Sequence, residues 1–507
     1  MFDGFPAALP VCGGALLTFV VERGLRPAPL LFSRPLRAYA AHLGVWTLAF
    51  ALVLGVTQRP WFAALLVLAE MVFIVLISNA KARTLREPFV FPDFEYFIDA
   101  LKFPRLFLPY FGWWPVLVTL VLFAAVFYPG MVLEQSIPAR IGYTGFFAGV
   151  AGLLAAGCLM LWLATPHRLP VTFDAADDLL RLGLPACLWY YAVAERRDLP
   201  APATLPFAAP RAPPLPARRG HVVVVQSESF FDARRLHATI HPDAYANFDA
   251  ACAAATDHGK LVVPAWGANT VRPEFAFLTG IDPSQLGIHR FNPYRRFARQ
   301  RLPALASHFK RAGYRTVCLH PFPAGYYARD VVFPLLDIDE FVDLREFDNA
   351  ERSGAYVSDA ALAEKVRALL DASTEPVFAF VITMENHGPL HLESPVAEDA
   401  VRLYAQAPPA GFDELTVYLR HLANADRMIG TLTAGLQQSP RDGVLCWYGD
   451  HVPILQQVYA ATGFADARTD YLIWRKGAVP QSAMPAELRI ENLGGLLLDR
   501  AGFDRLP

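Results

Sequence analysis

Cysteine is scarce in this sequence. Six occur in 507 residues, Cys12, Cys158 and Cys187 in the first half and Cys252, Cys318 and Cys446 in the second. An odd number per half, with Cys318 and Cys446 inside apolar runs, excludes a disulfide framework; these thiols are expected to be small buried hydrophobes. Net charge is also lacking, at −2, and no ladder of basic and aromatic residues appears, so no nucleic-acid partner is expected. Charged residues are nearly missing from long stretches before about residue 195, while 54% of the chain is hydrophobic. That excess places part of the protein in a membrane.

Five candidate spans follow, at 5–21, 38–56, 61–79, 111–133 and 142–164. At about 1.5 Å per residue each covers most or all of a hydrocarbon core roughly 30 Å thick. Glu70 is the one carboxylate in the second to fifth spans, and a lone intramembrane acid is expected to face other helices. The first segment lacks a basic leader and a small-residue cleavage site, so it is expected to be an anchor helix. A weaker segment, Leu179 to Ala194, follows Asp177-Asp178 and contains Arg181 and Pro185; it is expected to be an interfacial helix. Phe89, Phe91, Phe94, Tyr96, Phe97, Trp113 and Trp114 suit a membrane-interface belt or platform. Arg23, Arg26, Arg34 and Arg37 after the first span, and Lys81, Arg83 and Arg86 after the third, favour cytoplasmic loops. Asp93, Glu95 and Asp99 dilute that bias, and the charge pattern alone leaves the orientation open.

From Asp198 to Gly220 the chain carries seven prolines and no periodic pattern, the composition of a semi-rigid extended linker. The expected organisation is a helical membrane domain over 1–170, an interfacial helix and linker over 171–220, and a large α/β domain over 221–507.

That last part contains four apolar runs, each emptying into polar groups. Val222 to Val225 leads to Glu228, Thr316 to Leu319 to His320, Val377 to Thr383 to Glu385-Asn386-His387, and Val444 to Trp447 to Asp450-His451. Short β-rich runs with functional groups at their ends suit an open α/β sheet, where ligands collect outside the carboxyl ends of the strands. Leu302, Leu305 and Phe309 recur at helical spacing before Gly313, so βα repeats with a mostly parallel sheet are expected.

Glu228, Asp450 and His451 together offer an oxygen and nitrogen donor set for Mn²⁺, Mg²⁺ or Zn²⁺. The absence of thiolates in this set argues against a structural zinc site. A divalent ion with an open position acidifies a hydroxyl and offsets charge on a phosphoryl oxygen. The candidate hydroxyl is Thr270 in Trp266-Gly267-Ala268-Asn269-Thr270, a turn composition that suits a helix N-terminus and an anion. The bland alternative for such a threonine is a helix cap.

Four blocks, Gln226-Ser227-Glu228-Ser229-Phe230, Gly267-Ala268-Asn269-Thr270 with Glu274-Phe275 and Leu278-Thr279-Gly280, His320-Pro321-Phe322, and Tyr448-Gly449-Asp450-His451, are together similar in order and spacing to one family. They resemble the lipoteichoic acid synthase-like phosphoglycerol transferases of the alkaline phosphatase and sulfatase superfamily. The resemblance implies an alkaline-phosphatase-like α/β domain behind about five transmembrane helices, in the bacterial cytoplasmic membrane, with the catalytic domain on the periplasmic or extracellular side. It implies that Glu228, Thr270, Asp450 and His451 bind one divalent ion, manganese foremost, and that Thr270 is also the nucleophile. It further implies that His320, Arg329 and His387 meet a phosphoglycerol head group, with Tyr327 standing where this family often has tryptophan.

On that basis phosphatidylglycerol is the expected donor, with transfer through a glycerophospho-threonine to a surface glycan or a glycerol phosphate polymer. His387 is assigned to protonate the leaving oxygen and Arg329 to offset oxyanion charge. Arg272 and Glu274 are expected to orient the nucleophile or pair with each other. A phosphoethanolamine transferase of the same superfamily is the alternative within this class, although that family typically carries several disulfides in its outer domain and the three scattered cysteines here argue against it. A non-catalytic membrane sensor or scaffold is the alternative from another class, disfavoured by the complete ligand set. A sulfatase is disfavoured because Thr270-Val271-Arg272-Pro273 does not supply a Cys-or-Ser, x, Pro, x, Arg motif.

Overall fold

The computed structural model describes residues 7–111, 113–196, 205–208, 219–297, 300–478 and 485–503. The chain divides into two compact units, Met1–Asp198 and Leu199–Pro507. Most of the proline-rich stretch 198–220 lies outside the described residues.

The first unit is helical. Helices Ala8–Glu22, Leu36–Thr57, Pro60–Leu85, Trp113–Leu133 and Pro138–Ala164 stand at the five expected places. Three of them, Leu36–Thr57, Pro60–Leu85 and Pro138–Ala164, are long and apolar enough to cross a membrane; Trp113–Leu133 runs for 21 residues, and Ala8–Glu22 is shorter. A 15-residue helix such as Ala8–Glu22 reaches only about 22 Å at 1.5 Å per residue. Leu52, Val56, Leu120 and Trp162 point outward, which suits a lipid-facing surface. The chain is membrane-anchored.

Two expectations for this unit change. Glu70 is exposed, because the buried face of its helix runs through Val67, Leu68, Met71 and Val75. Among the buried charges are Glu22 and Arg34, paired at 2.8 Å, with His42 Nδ1 3.6 Å from the same carboxylate. The segment 179–194 is not one helix. Gly183, at φ +81°, breaks it into Ala175–Leu182, capped by the Asp174 carboxylate, and Leu184–Arg196. Phe89, Phe94 and Phe97 pack ring against ring; the side chains of Trp113 and Trp114 lie outside the described part.

The second unit is built on an eight-stranded sheet. Its members are β1 (His221–Ser227), β2 (Asp257–Val262), β3 (Arg315–Leu319), β4 (Glu340–Val342), β7 (Val377–Ile382), β8 (Gly443–Gly449), β9 (Thr469–Arg475) and β10 (Leu488–Arg489). Two short strands, β5 (Arg352–Ser353) and β6 (Tyr356–Val357), form a separate hairpin. The sheet order is β10-β2-β9-β8-β1-β7-β3-β4, antiparallel only where β9 meets β2 and β8. The expected mostly parallel α/β fold is therefore present.

Both faces of the sheet are covered, which is why its strands read as unbroken apolar runs. Alternate residues serve opposite cores: Val223, Val225, Leu445 and Trp447 enter one, and Val222, Val224, Cys446 and Tyr448 the other. Cys318 and Cys446 are buried and unpaired. The helix expected from Leu302 begins at Leu305, just after Pro303, and Leu302, Leu305 and Phe309 are all buried.

The sheet order puts β8, β1, β7 and β3 side by side, all parallel. Their ends are level, with Ser227 opposite Gly449, Gln226 opposite Ile382 and Leu319 opposite Val381. These are the four runs that empty into polar residues. Their functional groups thus share one sheet edge.

Candidate active site

β1 and β8 deliver three buried donors to one point. Ligand atoms of Glu228, Asp450 and His451 all lie within 4.8 Å of one another. His451 Nε2 is 3.6 Å from Glu228 Oε1 and 3.4 Å from Asp450 Oδ2. The strands approach so closely that a Cβ at Gly449 would overlap the carbonyl oxygen of Phe230, which explains a glycine immediately before Asp450.

Hydrogen bonds orient each donor. Asp450 Oδ1 accepts from the backbone N–H groups of Ser229 at 2.8 Å and His451 at 2.9 Å. Ser229 Oγ donates to Glu228 Oε1 at 2.9 Å, and the Glu228 N–H donates to Thr383 Oγ1 at 2.9 Å. His451 Nδ1 lies 3.1 Å from the Val452 carbonyl, which can only accept. The proton therefore sits on Nδ1 and the Nε2 lone pair faces the carboxylates. Asp450 Oδ2 is buried and has no hydrogen-bond partner. Burial, then the neighbouring Asp450 charge, hold the Glu228 carboxyl well above its ordinary range. Two carboxylates and an imidazole converging on one buried point fit a divalent cation.

Thr270 precedes the helix Val271–Thr279, all nine residues of which are buried. Its hydroxyl makes no capping hydrogen bond, and its backbone is already helical at φ −43°, ψ −33°. The bland role of a cap is thereby removed. Asn269 at φ +70° and Gly267 at φ +71° turn the chain into the helix. The Gly267 N–H donates to the Val452 carbonyl at 3.0 Å, pinning this loop one residue beyond His451.

β3 and β7 supply the remaining candidates. His320 Nδ1 donates to the Ile382 carbonyl at 3.1 Å, so Nε2 accepts from Arg329 Nη1 at 3.2 Å. Burial, and then the Arg329 charge, hold the His320 imidazole well below its ordinary range, hence neutral. Arg329 grips Glu274 with two further bonds, from Nε at 3.0 Å and Nη2 at 2.9 Å. Glu274 also accepts from Gln226 Nε2 at 3.0 Å and Tyr294 Oη at 2.7 Å. The Arg329 guanidinium lies 5.2 Å from the centre of the Tyr327 ring.

The Arg329 bridge is buried, not a surface pair. The expected pairing of Arg272 with Glu274 does not form. Two residues apart on a helix, they point to opposite sides, and Arg272 Nε donates to the Phe291 carbonyl at 3.1 Å. Tyr327 and Ala328 both hold positive φ, at +57° and +54°, as do Ser229 at +54° and Asn269. Of the non-glycine residues with positive φ in this unit, only Asp337 stands away from these blocks among the described residues. Such backbone strain gathers at functional sites.

His387 is half-buried, and its Nδ1 donates to the Gly388 carbonyl at 2.6 Å, leaving Nε2 as the acceptor. Burial lowers the affinity of this imidazole for a proton, the Gly388 bond and the Asp450 charge opposing that effect. Residues not singled out from the sequence also belong here. Ser229 and Thr383 brace Glu228. Asn386 is buried beside His387 with both amide atoms unpartnered. Ser229 stood inside a quoted motif, but its left-handed backbone has no sequence signal.

Comparison with known proteins adds family context. The family model described as Sulfatase matches residues 220–502. The capsular polysaccharide biosynthesis protein RkpI of Rhizobium meliloti (strain 1021) is 30% identical over 458 residues, which cover 85% of this chain and 80% of that protein. The integral membrane lipooligosaccharide phosphoethanolamine transferase A from Neisseria meningitidis shares the fold at TM-score 0.55 and 14% identity, covering 97% of this chain and 95% of that one. The Streptococcus pyogenes phosphoglycerol transferase GacH aligns at TM-score 0.48 and 22% identity, over 57% of this chain and 76% of that one.

Proposed function

Since the chain belongs to the sulfatase family, within the alkaline phosphatase superfamily, we propose that it is a metal-dependent phosphoglycerol transferase using Thr270 as nucleophile. The observation that carries this reading is the uncapped Thr270, at the head of a buried helix, on a loop pinned beside the Glu228, Asp450 and His451 cluster. A threonine in a sulfatase-family fold favours phosphoryl transfer over sulfate ester hydrolysis, because the Cys-or-Ser motif is not supplied.

Glu228, Asp450 and His451 would hold one divalent ion, Mn²⁺ foremost, with Thr270 as the fourth ligand. Such an ion supplies positive charge against a phosphoryl oxygen and eases loss of a hydroxyl proton. The Thr270 Oγ attacks the phosphodiester of phosphatidylglycerol, forming a Thr–O–P bond as the bond to diacylglycerol breaks. The proton lost from Thr270 is matched by one delivered to the diacylglycerol oxygen. In the second half the acceptor hydroxyl attacks phosphorus, the Thr–O–P bond breaks, and Thr270 regains a proton. His387, whose Nε2 can take up the proton lost from Thr270 and pass it to the leaving oxygen, then take one from the acceptor hydroxyl and return it to Thr270, suits these transfers.

His320, Tyr327 and Arg329 are assigned to the head group. Tyr327 supplies an aromatic face against the Arg329 guanidinium, which Glu274 holds in place. The relative's part in capsular polysaccharide biosynthesis favours a surface glycan as acceptor over a growing glycerol phosphate polymer. The membrane helices keep a lipid donor within reach, in the bacterial cytoplasmic membrane with the catalytic unit on the periplasmic or extracellular side.

The test is incubation of the full-length protein with Mn²⁺ and either phosphatidylglycerol or phosphatidylethanolamine, each labelled in the glyceride. Release of diacylglycerol from phosphatidylglycerol by the wild type and not by Thr270→Ala is expected. Preference for phosphatidylethanolamine would transfer the assignment to a phosphoethanolamine transferase.

A further inference from the structure

A single side chain bridges both ends of the segment that carries His387. His421, on the helix Asp413–Gln438, is 1% exposed. Its Nδ1 lies 3.0 Å from Glu385 Oε1 and its Nε2 3.0 Å from Glu393 Oε2. Ionised carboxylates only accept, so both ring nitrogens must carry protons to bond both partners. His421 is thus an imidazolium.

The two ends are held by further contacts. The Asp359 N–H donates to Glu385 Oε2 at 2.6 Å, and the Asn424 side-chain amide donates to Oε1. The Ser353 hydroxyl lies 3.1 Å from His421 Nδ1. Arg420 Nη2 donates to Glu393 Oε2 at 3.1 Å. Arg420 also pairs through Nη1 with Asp399 at 3.0 Å, so the carboxylates of Glu385, Glu393 and Asp399 face the imidazolium and Arg420. Asp359, buried with both carboxylate oxygens unpartnered, is held well above its ordinary range by burial and then by the Glu385 charge. It stays protonated and adds no charge.

Inside the bridged segment, the 2.6 Å bond of His387 to Gly388 runs to its own neighbour and moves with the loop. That bond cannot fix the ring against the rest of the fold. Within the segment, Tyr356 meets His387 edge-on with centroids 5.7 Å apart and donates to the Gly388 carbonyl at 3.3 Å, Leu390 enters the core, and His391 Nδ1 lies 3.6 Å from Glu414 Oε1; the two ends are tied to each other through His421. We infer that His421 is a positioning residue, closing residues 385–393 into a fixed loop and so setting where the His387 imidazole stands. The chemical consequence rests on the proton-transfer role proposed for His387. A displacement near 1 Å at a reacting group costs on the order of 10²-fold in rate.

The experiment uses the full-length chain in detergent with Mn²⁺, and has two arms. In the first, hydrogen exchange is followed by mass spectrometry in wild type, His421→Gln and Glu393→Gln, the latter cutting one arm of the bridge should His421→Gln fail to fold. Exchange over 386–392 is expected to accelerate at least tenfold in the variants, with β1 and β8 unchanged; unchanged loop exchange in Glu393→Gln and in any folded His421→Gln overturns the inference.

In the second arm, hydrolysis of bis(p-nitrophenyl) phosphate is measured for wild type, Glu393→Gln, His387→Ala and the double variant. A kcat loss of about 10- to 100-fold at little-changed KM is expected for Glu393→Gln alone, and no further loss when His387 is already alanine. Full additivity of the two losses overturns the positioning role. An inactive wild type would count against the proposed activity, while the exchange arm still decides the bridge.

Discussion

Nε2 of His451 stands 3.4 Å from Oδ2 of Asp450 and 3.6 Å from Oε1 of Glu228. Asp450 Oδ1 is already occupied by two backbone N–H groups, so Oδ2 faces the cluster unpaired. This crowding of two buried carboxylates is what a divalent cation would offset. Mn²⁺ is expected to raise the thermal midpoint, by an amount corresponding to about 2.7 kcal/mol at one hundred times Kd. Chelation reverses the rise.

Asp450→Asn keeps an oxygen for the two backbone donors and places an amide N–H toward His451 Nε2. It is expected to raise the midpoint of the chelated protein above that of chelated wild type, while abolishing the response to Mn²⁺. Differential scanning calorimetry of both proteins, with and without chelator, makes the comparison.

Glu274 and Arg329 form the densest polar network of the site. Glu274→Gln leaves a buried guanidinium uncompensated and is expected to cost about 3–5 kcal/mol. The double variant Glu274→Gln, Arg329→Met is expected to be less destabilised than the sum of the single variants, since it removes both charges. Chemical denaturation of the four proteins provides the coupling energy.

His421 ties stability to pH. Burial disfavours its charge, but hydrogen bonds to Glu385 and Glu393 outweigh burial and push the imidazole up to about 9, against an ordinary value near 6.5. A raised value means the folded state holds the proton more tightly. The contribution, about 3 kcal/mol, is full below pH ~6.5 and lost as pH rises through about 9. Unfolding measured from pH 6 to 10 should show wild type declining toward His421→Gln.

Much of this was legible in the sequence, and the reasons are physical. Apolar runs that stay apolar on consecutive residues, such as Val222 to Val225, signal strands buried on both faces, and four of them ending in polar groups signalled a shared sheet edge. What stayed hidden was contact across distance. The pairing of Arg329 with Glu274, rather than Arg272 with Glu274, depends on which side of one short helix faces β3. The bridge from His421 to Glu385 and Glu393 joins residues with no common motif. The break at Gly183 required a backbone angle of φ +81°, and the exposed position of Glu70 depended on helix phase. Length separates Ala8–Glu22 from the three helices able to cross a membrane.

The central claim is that Thr270 carries the phosphoryl group between donor and acceptor. Its most direct test is acid quenching of the Mn²⁺-loaded protein after incubation with phosphatidylglycerol, without acceptor, followed by peptide mass spectrometry. A glycerophosphoryl adduct on the peptide containing Thr270 is predicted in wild type. Turnover of phosphatidylglycerol without any adduct on Thr270, or with the adduct on another residue, would contradict the account.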